Sequence, residues 1–289
     1  MKALRFAALG DSLTEGIGDP VDGGWRGWAA LLADGLAPTG APVEFRNFAV
    51  SGAQTADVRG RQMPRALGFS PDVVSVVVGV NDTLRRTFDI HAVAAHLDAV
   101  YGAFAERGTI VLTACLPDPG AMLGLPGALA RPLARRQRAV NDVVHALSAR
   151  HGAVHLHAAE DDWVADRAMW SADRLHPGER GHWLFAARFH AVLAASGTAR
   201  GPAPDTEPQR PAPTRSAGFW WLATAGTGWV ARRCTDLLPQ LVALAADEVR
   251  HGLRGTGARL DLRASAGVTA ALSALSSPGT AEVVPRAAS

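Results

Sequence analysis

The sequence predicts an α/β protein whose parallel sheet carries helices on both faces. Up to about residue 197, short runs rich in Val, Leu and Ala alternate with helical patterns. Several of these runs are apolar throughout, as in strands that are buried on both sides of a parallel sheet. A chain of 289 residues can hold one α/β domain of about 200 residues and a further segment.

Each element of this domain is predicted from its own pattern. Candidate strands cover residues 4–9, 43–49, 73–78, 109–114 and 153–156. Helical patterns cover residues 28–36, 90–107, 129–150 and about 179–195. The third helix has an apolar stripe that would face the sheet, formed by Val140, Val143, Val144 and Leu147. Because ligands bind at the carboxyl ends of the strands in such sheets, we expect the functional site there.

The composition changes after this domain, which is taken as residues 1–198. Five prolines between residues 202 and 213 predict a linker over 199–216. Residues 217–255 are predicted to form a helical, amphipathic appendage, and residues 256–289 an Ala- and Ser-rich disordered tail. The appendage contains Trp220, Trp221 and Trp229. It could therefore lie at a membrane interface or pack on the α/β domain, and both alternatives stay open.

Composition and charge exclude several classes of protein. The chain is 48% hydrophobic and 19% charged with a formal net charge of +2, which suits a globular protein. Its basic residues form no stripe with interleaved aromatics, so no nucleic-acid partner is predicted. The two cysteines, Cys115 and Cys234, cannot make a disulfide framework, and Cys115 is expected to be a small apolar residue at a buried strand end.

The sequence carries no sign of a targeting segment or a membrane span. The first apolar stretch is too short for a signal peptide, and no apolar run reaches about 18 residues. The expected location is therefore cytoplasmic, with membrane association left open through residues 217–255.

Three motifs at predicted strand ends carry candidate chemistry. The Gly-Asp-Ser-Leu run at residues 10–13 follows the first strand, where a serine at a glycine-flanked turn can be held exposed. Gly52 follows the second strand, and its missing Cβ lets a backbone N–H approach a ligand. Asn81 follows the third strand and could present its amide to a developing negative charge. Ordinary alternatives are turn residues for the first two and a helix cap for the third.

A serine nucleophile needs a general base, and two Asp-x-x-His pairs are candidates. Asp142 and His145 lie on neighbouring turns of a helical pattern, which favours a solvated surface pair. Asp173 and His176 are followed by a proline that stops the next helix from extending back through His176. This pair is therefore predicted to lie at a loop tip, where it can reach Ser12.

Together the motifs resemble the SGNH (GDSL-type) hydrolase family over about residues 4 to 197. The resemblance implies a flavodoxin-like three-layer α/β/α sandwich with a five-stranded parallel sheet and, here, a C-terminal helical appendage. It implies Ser12 as the nucleophile, His176 as its general base and Asp173 as the residue that orients the histidine. No metal or other cofactor is expected.

The resemblance also implies an oxyanion hole and a class of substrate. The backbone N–H groups of Ser12 and Gly52, with the Asn81 side chain, would stabilise the tetrahedral oxyanion. The expected partner is a small-molecule or lipid acyl ester, with a preference for small or medium acyl chains. Residues that could contact this substrate are Asp11, Trp25 and Met122.

Several alternatives remain open at this point. The family includes lipases, lysophospholipases, thioesterases and carbohydrate deacetylases as well as esterases, and transfer to an acceptor other than water is possible. A non-catalytic lipid-binding or interaction module could also be built on the same fold. A metal-dependent phosphohydrolase centred on Asp11 is the weakest alternative, because no set of carboxylate ligands accompanies this residue.

Overall fold

The computed structural model describes residues 3–159, 162–205, 207–209 and 238–276. Within these ranges the strands are β1 (Leu4–Gly10), β2 (Pro20–Val21), β3 (Gly24–Trp25), β4 (Val43–Asn47), β5 (Val73–Val77), β6 (Ile110–Cys115) and β7 (Val154–His157). The helices of the first domain are α1 (Ser12–Glu15), α2 (Gly27–Leu36), α3 (Thr55–Asp57), α4 (Met63–Phe69), α5 (Val80–Thr83), α6 (Ile90–Ala105), α7 (Pro119–Met122), α8 (Gly127–Arg150) and α9 (Glu179–Ala195). Two further helices follow, α10 (Leu238–Leu253) and α11 (Gly257–Ser276).

Five strands form one parallel sheet in the order β4-β1-β5-β6-β7. This is the flavodoxin-like order, in which the chain reverses its direction across the sheet after β1. The reversal opens a crevice at the carboxyl ends of β1 and β5, where ligands bind in such folds. The predicted fold class is therefore confirmed. Strands β2 and β3 form a separate antiparallel hairpin.

The side chains of the strands explain the three layers. In β1, Ala7 and Leu9 pack toward α6 and α8, whereas Phe6 and Ala8 pack toward α2 and α9. Strand β5 is buried at every position, as a strand covered on both faces must be. The stripe predicted to face the sheet from α8 is buried in the first of these two cores, formed by Val140, Val143, Val144 and Leu147.

Helices α10 and α11 dock on the α6 and α8 side of the domain. Val268 and Ala271 of α11 are buried in the same core as α6. Arg135 of α8 reaches both helices, with Glu248 at 3.0 Å and Asp261 at 2.8 Å. The Glu248 carboxylate is buried, which would raise its pKa, but its hydrogen bonds to Arg135 and Arg131 lower that pKa below the usual range.

The expectation of disorder from residue 256 is wrong for residues 257–276, because these form α11. The Ala- and Ser-rich composition concealed an apolar stripe at helical spacing, whose members are Val268, Ala271, Leu272 and Leu275. Residues 211–237, with all three tryptophans of the predicted appendage, lie outside the described residues. No described helix is both long and apolar enough to cross a membrane.

The first part of the predicted linker is packed against the domain. The backbone N–H groups of Arg200 and Gly201 donate to the carbonyls of Leu36 and Gly35 at the end of α2. Ala199 is buried in the core between α2 and α9. The chain therefore still packs on the sheet domain at Gly201, and further along the Gln209 N–H donates to Glu179 of α9 at 3.0 Å.

Candidate active site

The predicted nucleophile lies on a tightly fixed turn between β1 and α1. Ser12 is the first residue of α1, and the Asp11 side chain caps the helix by accepting a hydrogen bond from the Leu13 N–H at 3.1 Å. Gly10 has φ 154°, and a Cβ there would lie 2.3 Å from the Val77 carbonyl oxygen. Only glycine fits this position, which explains why the Gly-Asp-Ser-Leu run begins with a glycine.

The buried side chain of Gln62 holds the backbone of the same turn through two hydrogen bonds. Gln62 accepts from the Gly10 N–H and donates to the Gly10 carbonyl, both at 2.8 Å. These two bonds satisfy the backbone of the last residue of β1, where the sheet ladder ends. This contact could not be predicted from the sequence, because Gln62 lies in a helical segment 52 residues further along the chain.

The loop that carries Asp173 and His176 brings His176 next to Ser12, as we expected from the Asp-x-x-His pair. The Ser12 hydroxyl donates to His176 Nε2 at 2.8 Å, and His176 Nδ1 donates to Asp173 Oδ2 at 2.6 Å. The other carboxylate oxygen, Oδ1, accepts from the Ser171 hydroxyl at 2.6 Å and from two backbone N–H groups. Arg174 adopts φ 58°, which turns the backbone between the two side chains. The carboxylate is thus fixed from both oxygens.

The electrostatics of this loop fix the tautomer of His176. Burial would raise the pKa of Asp173, but the hydrogen bond and charge of His176 and the Ser171 hydroxyl hold it at about 2. Asp173 is therefore ionised at neutral pH and accepts the Nδ1 hydrogen of His176. The Nε2 lone pair is left to face the Ser12 hydroxyl, which is the arrangement that general-base catalysis requires.

Close backbone contact joins the Ser12 and His176 loops. Gly18, with φ 106°, lies so near the Pro177 carbonyl that a Cβ would be 1.9 Å from its oxygen. Beside this contact, buried Asp19 pairs with Arg26 at 2.9 Å and accepts from the Gly27 N–H at 3.2 Å. These contacts brace the loop after α1 against the start of α9.

The three predicted oxyanion donors lie around the carboxyl ends of β1, β4 and β5. Gly52 adopts φ 82° in the loop after β4, and the Val50 N–H of this loop donates to the Gly10 carbonyl at 3.2 Å. The Asn81 amide donates to Asp11 Oδ2 and to the Ala53 carbonyl, both at 3.1 Å. Asn81 therefore lies beside the Ser12 turn with both amide hydrogens already engaged.

Two buried carboxylates, Asp11 and Asp82, lie next to the predicted oxyanion donors. Burial raises the pKa of Asp11 to about 6, although the hydrogen bond from the Leu13 N–H has a smaller, lowering effect. Burial also raises the pKa of Asp82, whose Oδ1 accepts from the Thr55 hydroxyl at 2.7 Å. The bond from Thr55 ties the loop that contains Gly52 to the turn that contains Asn81, a link that the sequence did not reveal.

A candidate substrate pocket lies over Ser12 and His176. Its walls are mostly apolar and come from four loops and α9, with the lining side chains including Leu84, Leu116, Met122, Trp163, Trp170 and Phe185. The structure thus places two of the three predicted substrate contacts, Asp11 and Met122, in the pocket lining. Trp25 is not in this lining, because it lies in the β2–β3 hairpin with 45% of its side chain exposed.

An indole pair forms the part of the wall that the sequence did not predict. Trp163 and Trp170 stack with ring centroids 4.9 Å apart and planes 16° from parallel. Each indole N–H donates to a backbone carbonyl at 3.0 Å, that of Ala158 and that of Val164 respectively. Because both rings are buried and anchored, this wall is rigid.

Comparisons with known proteins identify the family to which the chain belongs. The model of the GDSL-like lipase/acylhydrolase family matches residues 8–184, which is more than half of the chain. The chain therefore belongs to this family, and the prediction made from the four motifs is confirmed. An arylesterase from Vibrio mimicus is 30% identical over 109 residues, which are 37% of this chain and 52% of that protein. The chain thus spans about half the length of this curated relative.

Solved structures of esterases share the fold. Axe2, an acetylxylan esterase from Geobacillus stearothermophilus, is 19% identical with a TM-score of 0.54, covering 66% of this chain and 94% of that one. LAE5, an α/β hydrolase from the metagenome of Lake Arreo, is 22% identical with a TM-score of 0.54, covering 69% and 98%. The psychrotrophic esterase EstA from Pseudoalteromonas is 17% identical with a TM-score of 0.53, covering 66% and 97%.

Proposed function

We propose that this protein is a serine esterase that hydrolyses carboxylic acyl esters through an acyl-enzyme on Ser12. The observation that carries the proposal is the continuous hydrogen-bond chain from the Ser12 hydroxyl through His176 to Asp173, at 2.8 Å and 2.6 Å. A serine hydroxyl is a poor nucleophile unless a base removes its proton, and this chain supplies one with the correct tautomer.

The reaction follows from these positions. The Ser12 oxygen attacks the ester carbonyl while His176 Nε2 takes its proton, and the ionised Asp173 stabilises the imidazolium. The same proton then passes to the leaving alcohol, which departs and leaves the acyl group on Ser12. A water molecule attacks the acyl-enzyme with His176 again as the base, which releases the acid and restores the free hydroxyl.

The oxyanion would be stabilised by the backbone N–H groups of Ser12 and Gly52 and by the Asn81 amide. One Asn81 hydrogen must then leave its present acceptor, Asp11 or the Ala53 carbonyl.

We propose a small or medium acyl group for the substrate. The indole pair and Met122 line the pocket beside Ser12, and both rings are held by hydrogen bonds to backbone carbonyls, so we expect them to limit the space for the acyl chain. The Geobacillus stearothermophilus enzyme acts, by its name, on the acetyl esters of xylan, and the Vibrio mimicus enzyme, by its name, on aryl esters. The alcohol part of the substrate is not specified by the apolar wall.

Hydrolysis of p-nitrophenyl esters from acetyl to palmitoyl tests the proposal. We expect the highest kcat/KM at short acyl chains, and the loss of essentially all turnover in Ser12→Ala. The exposed Ser265→Ala on α11 is the matched control and should retain full activity. Turnover that persists in Ser12→Ala would contradict the assignment of Ser12 as the nucleophile. An optimum at palmitoyl would contradict only the proposal of a small or medium acyl group.

A further inference from the structure

Four side chains that can bind a metal ion lie together at the outer edge of the sheet, outside the lining of the ester pocket. His155 and His157 alternate along the edge strand β7, so both project from the same face. Cys115 is the cross-strand partner of His157 on β6, and His145 projects from α8, which covers this face. One ligand atom from each of the four residues lies within 4.8 Å of the others.

The three imidazole rings are in mutual contact. Their centroids are 4.4 Å apart for His145 and His155, and 4.8 Å apart for the other two pairs. His145 Nε2 and His157 Nδ1 are separated by 3.1 Å. Four tetrahedral ligands of Zn²⁺ hold their nitrogens about 3.3 Å apart when the Zn–N distance is about 2.0–2.1 Å. The one separation of 3.1 Å is close to this spacing, and the four ligand atoms, all within 4.8 Å of one another, are near enough to surround one ion.

A relay of hydroxyl groups fixes the tautomer of His155. The Ser148 hydroxyl donates its one hydrogen to the Val144 carbonyl at 2.6 Å, so it must accept from Thr113 at 2.7 Å. The Thr113 oxygen has then spent its own hydrogen and accepts from His155 Nδ1 at 2.9 Å. His155 consequently carries its proton on Nδ1 and presents a lone pair on Nε2.

That lone pair is buried and has no hydrogen-bond partner among the residues that the structure describes. A buried acceptor without a donor is unfavourable, and a bound cation would satisfy it. Metal-ligating histidines characteristically donate their other ring N–H to an oxygen, as His155 does to Thr113.

We propose that Cys115, His145, His155 and His157 bind one Zn²⁺ ion in a structural site. A thiolate with three imidazoles is a donor set that zinc prefers, and four protein ligands close its coordination shell. Binding would deprotonate the Cys115 thiol and release that proton to solvent. The ion would join β6, the edge strand β7 and α8, which goes beyond the proposed esterase activity and departs from the expectation of a metal-free chain.

Calorimetric titration of the chelator-treated full chain with Zn²⁺ tests the stoichiometry and the ligands. We expect one ion per chain, bound about 100-fold or more weakly by His157→Asn, since even second-shell partners are worth 10- to about 100-fold. His157 is exposed, so this variant should fold normally, and exposed His91→Asn on α6 is the control with unchanged affinity. Equal affinity in wild type and His157→Asn would overturn the proposal.

Cobalt substitution tests the sulfur ligand separately. Co²⁺ bound by a thiolate gives a charge-transfer band in the near ultraviolet, which we expect in the wild type and in Cys234→Ser but not in Cys115→Ser. A Co²⁺ complex without this band in the wild type would overturn the assignment of Cys115.

The orienting role of Thr113 gives a test that a merely adventitious histidine cluster would fail. Thr113→Val keeps the shape of the buried side chain but removes the acceptor for His155 Nδ1, so zinc affinity should fall about 10- to 100-fold.

At free Zn²⁺ about 100-fold above Kd, the wild-type Tm should rise by about 5–10 °C. No change in Tm at saturating Zn²⁺ would contradict a structural role.

Discussion

His176 and His155 have their rings oriented in the same way but by different groups. In both, Nδ1 donates a hydrogen bond, to the Asp173 carboxylate in one case and to the Thr113 hydroxyl in the other. An ionised carboxylate can stabilise an imidazolium, whereas a hydroxyl relay cannot. His176 Nε2 receives the hydrogen of Ser12, whereas His155 Nε2 is buried with no donor among the residues that the structure describes. The Asp173 carboxylate therefore suits His176 to accept a proton, whereas the unmatched lone pair of His155 suits that ring to bind a cation.

The largest expected effect comes from removing the charge that orients His176. Asp173→Asn should lower kcat by about 10⁴-fold, because the amide favours the wrong tautomer and cannot stabilise the imidazolium. Asp142→Asn in the other Asp-x-x-His pair is the matched control and should leave kcat unchanged. Steady-state kinetics on p-nitrophenyl acetate measures both, and a loss of less than about 10-fold in Asp173→Asn would contradict the role of the carboxylate.

A smaller loss is expected at the proposed oxyanion hole. Asn81→Ala should lower kcat by about 10²–10³-fold with little change in KM, because the amide would bind the charge that develops in the transition state. Circular dichroism checks that the fold is intact. An unchanged kcat in the folded variant would remove Asn81 from the site.

The contact between α8 and the C-terminal helices can be tested by stability. Arg135→Met leaves the buried Glu248 carboxylate with one partner fewer, and should lower the free energy of unfolding by about 1–3 kcal/mol. Arg138→Met is the control, because Arg138 is 64% exposed and its contact with Asp261 is long, at 3.6 Å. Urea titration compares them, and equal effects in the two variants would argue against this docking contact.

The smallest effect concerns Asp11, whose raised pKa makes its charge unfavourable in the folded state. Because burial raises its pKa from the ordinary 3.8 to about 6 in the folded chain, ionised Asp11 lowers the stability increasingly as the pH rises from about 4 to 6. Asp11→Asn should therefore raise the free energy of unfolding by about 1–2 kcal/mol at pH 7 and by nothing below pH 4. A gain that is independent of pH would contradict burial of an ionisable Asp11.

The sequence predicted the sheet and the catalytic residues because both depend on local patterns. Apolar runs locate the strands, and the motifs lie at strand ends or beside a proline, where the backbone itself positions Ser12 and His176. The resemblance to the family then indicated which of the ten histidines lies next to Ser12. The flavodoxin-like arrangement of the strands came from the same resemblance, whereas the register of the strands was not predicted.

Other features could not be predicted, because they depend on distant segments that meet only in the folded chain. The indole wall joins Trp163 and Trp170 through a loop without regular spacing. The histidine cluster requires the register of β6 and β7 and one face of α8, which no local pattern reveals. Trp25 was assigned to the cleft from sequence proximity to Ser12, but the β2–β3 hairpin carries it into solvent.

Covalent trapping tests the central claim most directly. The full chain is treated with an alkyl p-nitrophenyl phosphonate, and the modified residue is located by peptide mass spectrometry. We expect one phosphonyl group per chain, on Ser12, with a rate that falls sharply in His176→Ala and no labelling in Ser12→Ala. Labelling of a different residue, or hydrolysis that survives complete modification of Ser12, would contradict the account.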